Sequence, residues 1–143
     1  MAVNKLRGTQ VLIKVGDGAT PEVFTHPCLI NTKRGAKFSC SANKVVVPDC
    51  DNPDDPAWQE VLVDALALSL DGAGKLDTAA VKSYSDWFMS GDGKNVQVWI
   101  GAVGYWQGSF KLTSFEVTGD RNDYADVTVA LESDGPIAAF AAQ

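Results

Sequence analysis

Few side chains in this 143-residue sequence have the type to do chemistry: one histidine, three cysteines and a cluster of aspartates. His26 is the single base available to a Ser/His or Cys/His pair, and one histidine cannot build a His-rich metal site. It precedes Pro27 at what reads as a strand start, the setting of a loop histidine. Cys28, Cys40 and Cys50 are odd in number and spaced by twelve and ten residues. That pattern fits neither a secreted disulfide framework nor a zinc knuckle, so the three read as reduced thiols, although spacing alone allows a Cys40–Cys50 bridge.

Residues 48–56 (PDCDNPDDP) hold four aspartates and three prolines. Asp49, Asp51, Asp55 and Glu60 fall at positions one, three, seven and twelve of an EF-hand count. The count fails where geometry matters, because Pro53 stands at position five and Asp54 replaces the glycine needed for the sharp turn. An extended, solvated acidic loop is the expectation. Its Asp54/Asp55 pair lacks the apolar neighbours that would raise one carboxyl for acid–base work. No nucleophile elbow, Walker loop, dinucleotide fingerprint or zinc motif occurs, and the Gly16, Gly72 and Gly91 clusters read as turn glycines. The expectation is a protein that is not an enzyme and holds no cofactor or metal. Tyr105-Trp106, between Gly104 and Gly108, could offer rings to a sugar, or simply alternate between core and surface in a hairpin.

The elements that position these residues read mostly as strands. Residues 10–15 (QVLIKV) are apolar and β-branched and stop at Gly16-Asp17-Gly18. A run over residues 23–31 is interrupted by His26-Pro27, and residues 36–47 are β-rich but broken at Ser41-Ala42-Asn43. Residues 58–71 (WQEVLVDALALSLD) suit a helix face and a long strand almost equally. A helix over about 78–89, capped by Asp77 or Thr78, carries Ala80, Val81, Tyr84, Trp87 and Phe88 on one stripe and ends at Gly91. Beyond it, residues 95–101, 104–116 and 125–131 alternate as strands. The fold class is mainly β: an antiparallel β-sandwich or barrel with one flanking α-helix. Residues 1–143 make one domain, with an arm at 1–9, an acidic loop at about 41–58 and an apolar tail at 135–143.

Twelve Lys and Arg against 18 Asp and Glu give a net charge of −6, with 45% hydrophobic residues, enough for one buried core. An acidic chain is a poor reader of phosphates. No stretch is apolar enough for a membrane span, so the expectation is a soluble chain made in the cytoplasm.

The order of elements and three stretches resemble the major tail tube proteins of long-tailed bacteriophages, a family that also serves prophages and gene transfer particles. The stretches are MAVNKLRGTQVLIKVGDG, KFSCSANKVVVPDCDNPDDPAWQEVLVDALALSLDGAGKLD and VQVWIGAVGYWQGSFKLTSFEVTGDRNDYADVTVALESDGPI, which together cover most of the chain. The cysteines and prolines of residues 40–56 depart from the plainer loops of the family. The resemblance implies a β-sandwich with a flanking helix and makes residues 61–70 a strand. It further implies six copies per ring, rings stacked into a hollow tube, and a virion location. Partners would be the chain itself, the tail tip or baseplate, the tape measure protein and the tail terminator, with DNA passing through the lumen without specific binding. Strands from residues 10–15 and 99–118 are expected on the inner wall. Contacts between subunits and rings are expected from Leu6 and Arg7 of the arm, Pro48, Asp49, Asp51 and Trp58 of the loop, and Ile137 and Phe140 of the tail. Six chains at −6 carry about −36 per ring, which would repel phosphate wherever it faces the channel. The rival reading is a carbohydrate- or surface-binding β-sandwich module using Tyr105, Trp106 and the acidic loop.

Overall fold

The computed structural model describes residues 2–27 and 29–142. Cys28, one of the three expected thiols, lies outside them, as do the end residues Met1 and Gln143 of the expected arm and tail. A short 3₁₀ turn, Gly8–Gln10, leads into β1 (Val11–Gly16), β2 (Phe24–Thr25), β3 (Lys33–Val46) and β4 (Gln59–Lys75). After α1 (Val81–Ser90) come β5 (Lys94–Ile100), β6 (Gly104–Thr118), β7 (Asp126–Ser133) and β8 (Ala141–Ala142). All the strands join one sheet in the order β2-β1-β5-β6-β7-β4-β3, with β8 on β6, and the pairings of known register are antiparallel.

The long strand β6 organises this sheet by changing partners. Its first half pairs with β5, from Ile100↔Gly104 to Lys94↔Phe110, and its second half pairs with β7, from Phe110↔Ser133 to Thr118↔Asp126. A bulge between Leu112 and Ser114 shifts the side-chain alternation, so that Leu112 and Phe115 both turn toward the core. The residues of one face follow from register: Ile13 opposite Val98, Leu70 opposite Leu131, Leu112 opposite Leu131. With Val96, Phe110, Val127 and Val129 they form a single buried cluster, which Tyr84 and Trp87 of α1 complete. The chain divides into two compact units: Phe38–Ala67, and the remainder, which contains this core.

The antiparallel β fold with one helix is as expected, but several local readings need correction. Helix α1 begins at Val81, not near 78, because the Asp77 carboxylate accepts the Ala79 amide (3.2 Å) and its carbonyl accepts the Ala80 amide (3.1 Å) in a turn ahead of the helix. Asp77 therefore caps that turn, and no side chain caps α1. Gly91, at φ +70°, does end it. Phe88 leaves the buried stripe and is 44% exposed. Strand β3 runs through Ser41-Ala42-Asn43 without a break, which shortens the loop to residues 47–58. Residues 58–71 are strand from Gln59 onward.

Gly72-Ala73-Gly74 is no turn. Gly72 pairs with Val129 and Gly74 with Val127 inside β4. Residues 29–31 pass over them so closely that a Cβ on Gly72 would lie 2.7 Å from Ile30, and one on Gly74 would lie 2.6 Å from the Leu29 carbonyl. These glycines let a crossing segment approach the sheet, and Asn31 locks it by exchanging bonds with the amide and carbonyl of Lys75, each 3.0 Å.

Candidate assembly surfaces

Alternation across β1, β5, β6, β7 and β4 that buries one face leaves the other polar. Gln97 Nε2 donates to Gln107 Oε1 at 3.1 Å, and Trp99 Nε1 donates to Gln97 Oε1 at 2.9 Å. Trp99 stacks on Tyr105 at 4.5 Å while the Lys14 ammonium lies 4.3 Å over the Trp99 ring. Ser69 bonds to Glu132 at 2.8 Å on the same face. Ionic partners further along are Lys75 with Asp123 (2.9 Å) and with Asp126 (2.8 Å). The two carboxylates hold the Lys75 ammonium above its ordinary pKa, and its bond holds the Asp123 carboxyl below the usual range. Tyr105 belongs to this polar face, whereas Trp106 packs on the core and on the Phe140 ring at 4.9 Å. Neighbours in sequence thus point to opposite sides, and they form no joint platform.

At one end of the sheet the arm and the tail meet the turn between β5 and β6. Leu6 sits where a Cβ on Gly101 would be, 2.7 Å away, and the Gly101 amide donates to the Gln10 carbonyl at 2.9 Å. Arg7 is exposed, and its carbonyl accepts the Gln10 amide at 2.9 Å. The tail runs back along the first half of β6. Asp134 donates its amide to Ser109 (2.8 Å), Ala138 donates to Gln107 (2.9 Å), and Ala141 pairs with Tyr105. Ile137 packs on the core directly over Gly108, and Phe140 covers Gly104 and Trp106. Most of the apolar character of the tail is therefore spent within its own subunit.

Unit Phe38–Ala67 is a ribbon made of the end of β3, the loop 47–58 and the start of β4. The loop holds Pro48, Asp49, Asp51 and Trp58, all exposed, with Trp58 at 91%. The Asp49 carboxylate accepts the Asp51 amide at 3.0 Å, a local Asx turn. Cys40 and Cys50 are exposed free thiols. Val61, Leu62 and Val63 are consecutive and all exposed, so both faces of the strand present apolar side chains, joined by Phe38 and by Leu66 at 81% exposure. These residues were not foreseen as contacts, although the unbroken Val-Leu-Val triplet is the signal, since a strand buried on one face alternates. Among the described residues no group of three or more His, Cys, Asp or Glu could hold a metal ion, and no helix is long and apolar enough to cross a membrane.

A model of the phage tail tube protein family matches residues 5–139. The chain belongs to that family. This tail tube protein also shares its fold with solved structures. The virion of a native gene transfer agent particle contains a chain 23% identical, with a TM-score of 0.77, over 96% of this chain and 99% of that one. The tail of an empty gene transfer agent particle, which has C6 symmetry, contains one 24% identical, also at 0.77, over 94% and 98%. The SPP1 tail tube is more distant: 15% identity and a TM-score of 0.58 over 92% and 77%. No curated protein matches the sequence. As a tail tube protein the chain is a structural component of a phage tail, and its functional surfaces are those that meet other copies.

Proposed function

We propose that six copies of this chain close into a ring, that rings stack into a hollow tube, and that the phage genome passes through the lumen during ejection. Family membership and the C6 symmetry of a tail that shares the fold support the ring. The observation that carries the reading is the two-sided apolar ribbon Phe38–Ala67, which an isolated subunit leaves in water. A two-stranded ribbon of that kind is marginal alone and gains its stability from a partner surface. Leu6 and Arg7 at the arm, Pro48, Asp49, Asp51 and Trp58 in the loop, and Ile137 and Phe140 at the tail are the contacts between subunits or rings. For the tail pair the part left to offer is Phe140, 38% exposed, since Ile137 is packed on its own core.

The polar face of β1, β5 and β6 lines the lumen, because the opposite face is filled by core and helix. The outer edge of β1 is covered among the described residues by β2 at Val15 and Gly16 and by the His26 ring bonded to the Ile13 carbonyl (2.9 Å), and its start at Val11 is the part that can pair with the next subunit's sheet. At its ends the tube meets the tail tip or baseplate and the terminator, and during assembly it encloses the tape measure protein. The rival sugar-binding reading loses its ring platform, because Tyr105 and Trp106 face opposite sides. Negative-stain microscopy of the purified chain is expected to show hexameric rings or long hollow filaments. A monomer at every concentration, with affinity for glycans or calcium, would decide for the rival.

A further inference from the structure

Lys14, Lys75 and Lys111 stand on the polar face of β1, β4 and β6, and each ammonium has a partner. Lys75 pairs with Asp123 and Asp126, and Lys111 lies 3.7 Å from Asp134. Lys14 is in no ion pair among the described residues, and its ammonium lies 4.3 Å over the Trp99 ring instead. Strand register puts Lys14 directly opposite Gln97, while Trp99 is opposite Leu12, so the lysine reaches its diagonal neighbour. Two groups fix the indole there. Its Nε1 donates to Gln97 Oε1 at 2.9 Å, and Gln97, only 8% exposed, is itself oriented by donating Nε2 to Gln107 Oε1 at 3.1 Å. From β6, on the far side of β5 from Lys14, Tyr105 stacks on the ring with centroids 4.5 Å apart. A buried amide thus spends both its ends on holding one ring under one ammonium.

We propose that Trp99, oriented by Gln97, withholds the Lys14 ammonium from DNA phosphates in the channel, an inference that rests on the tube reading, in which this face lines the lumen. The indole leaves the positive charge in place. The ammonium must nevertheless give up the ring before it can meet a phosphate, which weakens each such contact about five-fold. Every copy in a ring repeats the arrangement, so the weakening multiplies over all the phosphates that the ring could hold. Carboxylates restrain Lys75 and Lys111; Trp99 restrains the lysine that has none.

The test mixes tubes with labelled double-stranded DNA at low salt and sediments them. Circular dichroism and negative stain establish that each variant folds and assembles. Trp99→Leu is expected to retain several-fold more DNA than the wild type, with a salt dependence steeper by about 0.9 for each phosphate gained. Trp99→Phe keeps a ring face, and Trp99→Leu with Lys14→Met lacks the lysine, so both are expected at the wild-type level. Gln97→Met keeps the ring but frees it, and should fall between the wild type and Trp99→Leu; it carries the test if Trp99→Leu does not assemble. Glu116→Lys with Glu132→Lys, which puts new lysines on the same face, is the control for the lumen. If the control retains DNA and Trp99→Leu does not, the face lines the channel and the restraint of Lys14 is refuted. Retention by the Trp99→Leu, Lys14→Met chain equal to that of Trp99→Leu alone would also refute it, because the ring would then act on something other than Lys14. If neither the control nor Trp99→Leu retains DNA, the face is not on the channel and the inference falls with that assignment. If the wild type forms no tube, the tube reading itself falls.

Discussion

Tyr84 is a buried phenol, 6% exposed, whose hydroxyl has no hydrogen-bond partner among the described residues. Its ring earns the position by stacking on Phe115 at 6.2 Å and meeting Trp87 at 5.8 Å, so the oxygen is a cost carried by the ring. Tyr84→Phe is therefore expected to stabilise the subunit by about 1 kcal/mol, measured by urea unfolding at neutral pH. Burial also raises the pKa of the hydroxyl above its ordinary value of 10.0. The folded state holds this proton longer than the unfolded state, so the wild type keeps full stability below pH 10 and loses it as pH rises beyond. Tyr84→Phe should lack that alkaline loss; identical alkaline profiles would contradict the burial argument. At the acid side Asp17 works in reverse. The amides of Ala19 (2.9 Å) and Val23 (3.1 Å) lower its carboxyl below 3.8, so its contribution is present above that value and lost as pH falls through the lowered pKa. Gly74→Ala sets a methyl against the backbone of Leu29 and Asn31, whereas Gly72→Ala meets only the Ile30 side chain, which can turn aside. Costs of about 3 and about 1 kcal/mol are expected in equilibrium unfolding, and equal costs would show that the crossing segment moves as one.

Elements with a buried face were legible in the sequence, and those without one were not. The alternation Val96, Val98, Ile100 and Val127, Val129, Leu131 reports strands because the shared core imposes a period of two on them. Residues 58–71 read as helix or strand alike because Val61, Leu62 and Val63 lie on no core of this subunit, and nothing inside one chain enforces alternation there. Gly72 and Gly74 read as a turn because the segment that needs them, residues 29–31, is remote in sequence. The exposure of the ribbon separates stability from assembly. Leu62→Ser with Leu66→Ser is expected to leave subunit stability within about 0.5 kcal/mol and to abolish tubes in negative stain. Wild-type tubes from that variant would remove the ribbon from the interface. For the tail the sequence suggests a part whose loss spares the fold, yet Ile137 fills the space over Gly108 and the strand is bonded to β6. Removing residues 136–143 should thus lower subunit stability by about 2 kcal/mol, as well as impair assembly. An unchanged melting temperature would return the tail to a purely intersubunit role.

For the whole molecule, the placement of charge matters more than its sum. A ring of six carries about −36, but most of it belongs to residues 38–67 and not to the polar sheet face. On that face Lys14, Lys75 and Lys111 stand against Asp71, Glu116, Asp126 and Glu132, and the Lys75–Asp126 pair is already neutralised. In the proposed tube a channel lined this way would repel DNA through a small surplus of carboxylate and, more importantly, would offer no run of unpaired cations from which phosphates could displace counterions. Such a wall would let a polyanion slide. Converting the surplus should convert the behaviour: Glu116→Lys with Glu132→Lys adds two lysines per subunit on this face. Tubes should still form, and they should retain labelled double-stranded DNA in sedimentation at low salt where wild-type tubes do not. Retention should weaken steeply with added salt, with a slope that rises by about 0.9 for each phosphate newly contacted. Retention by wild-type tubes, or no gain in the variant, would place a different surface on the channel.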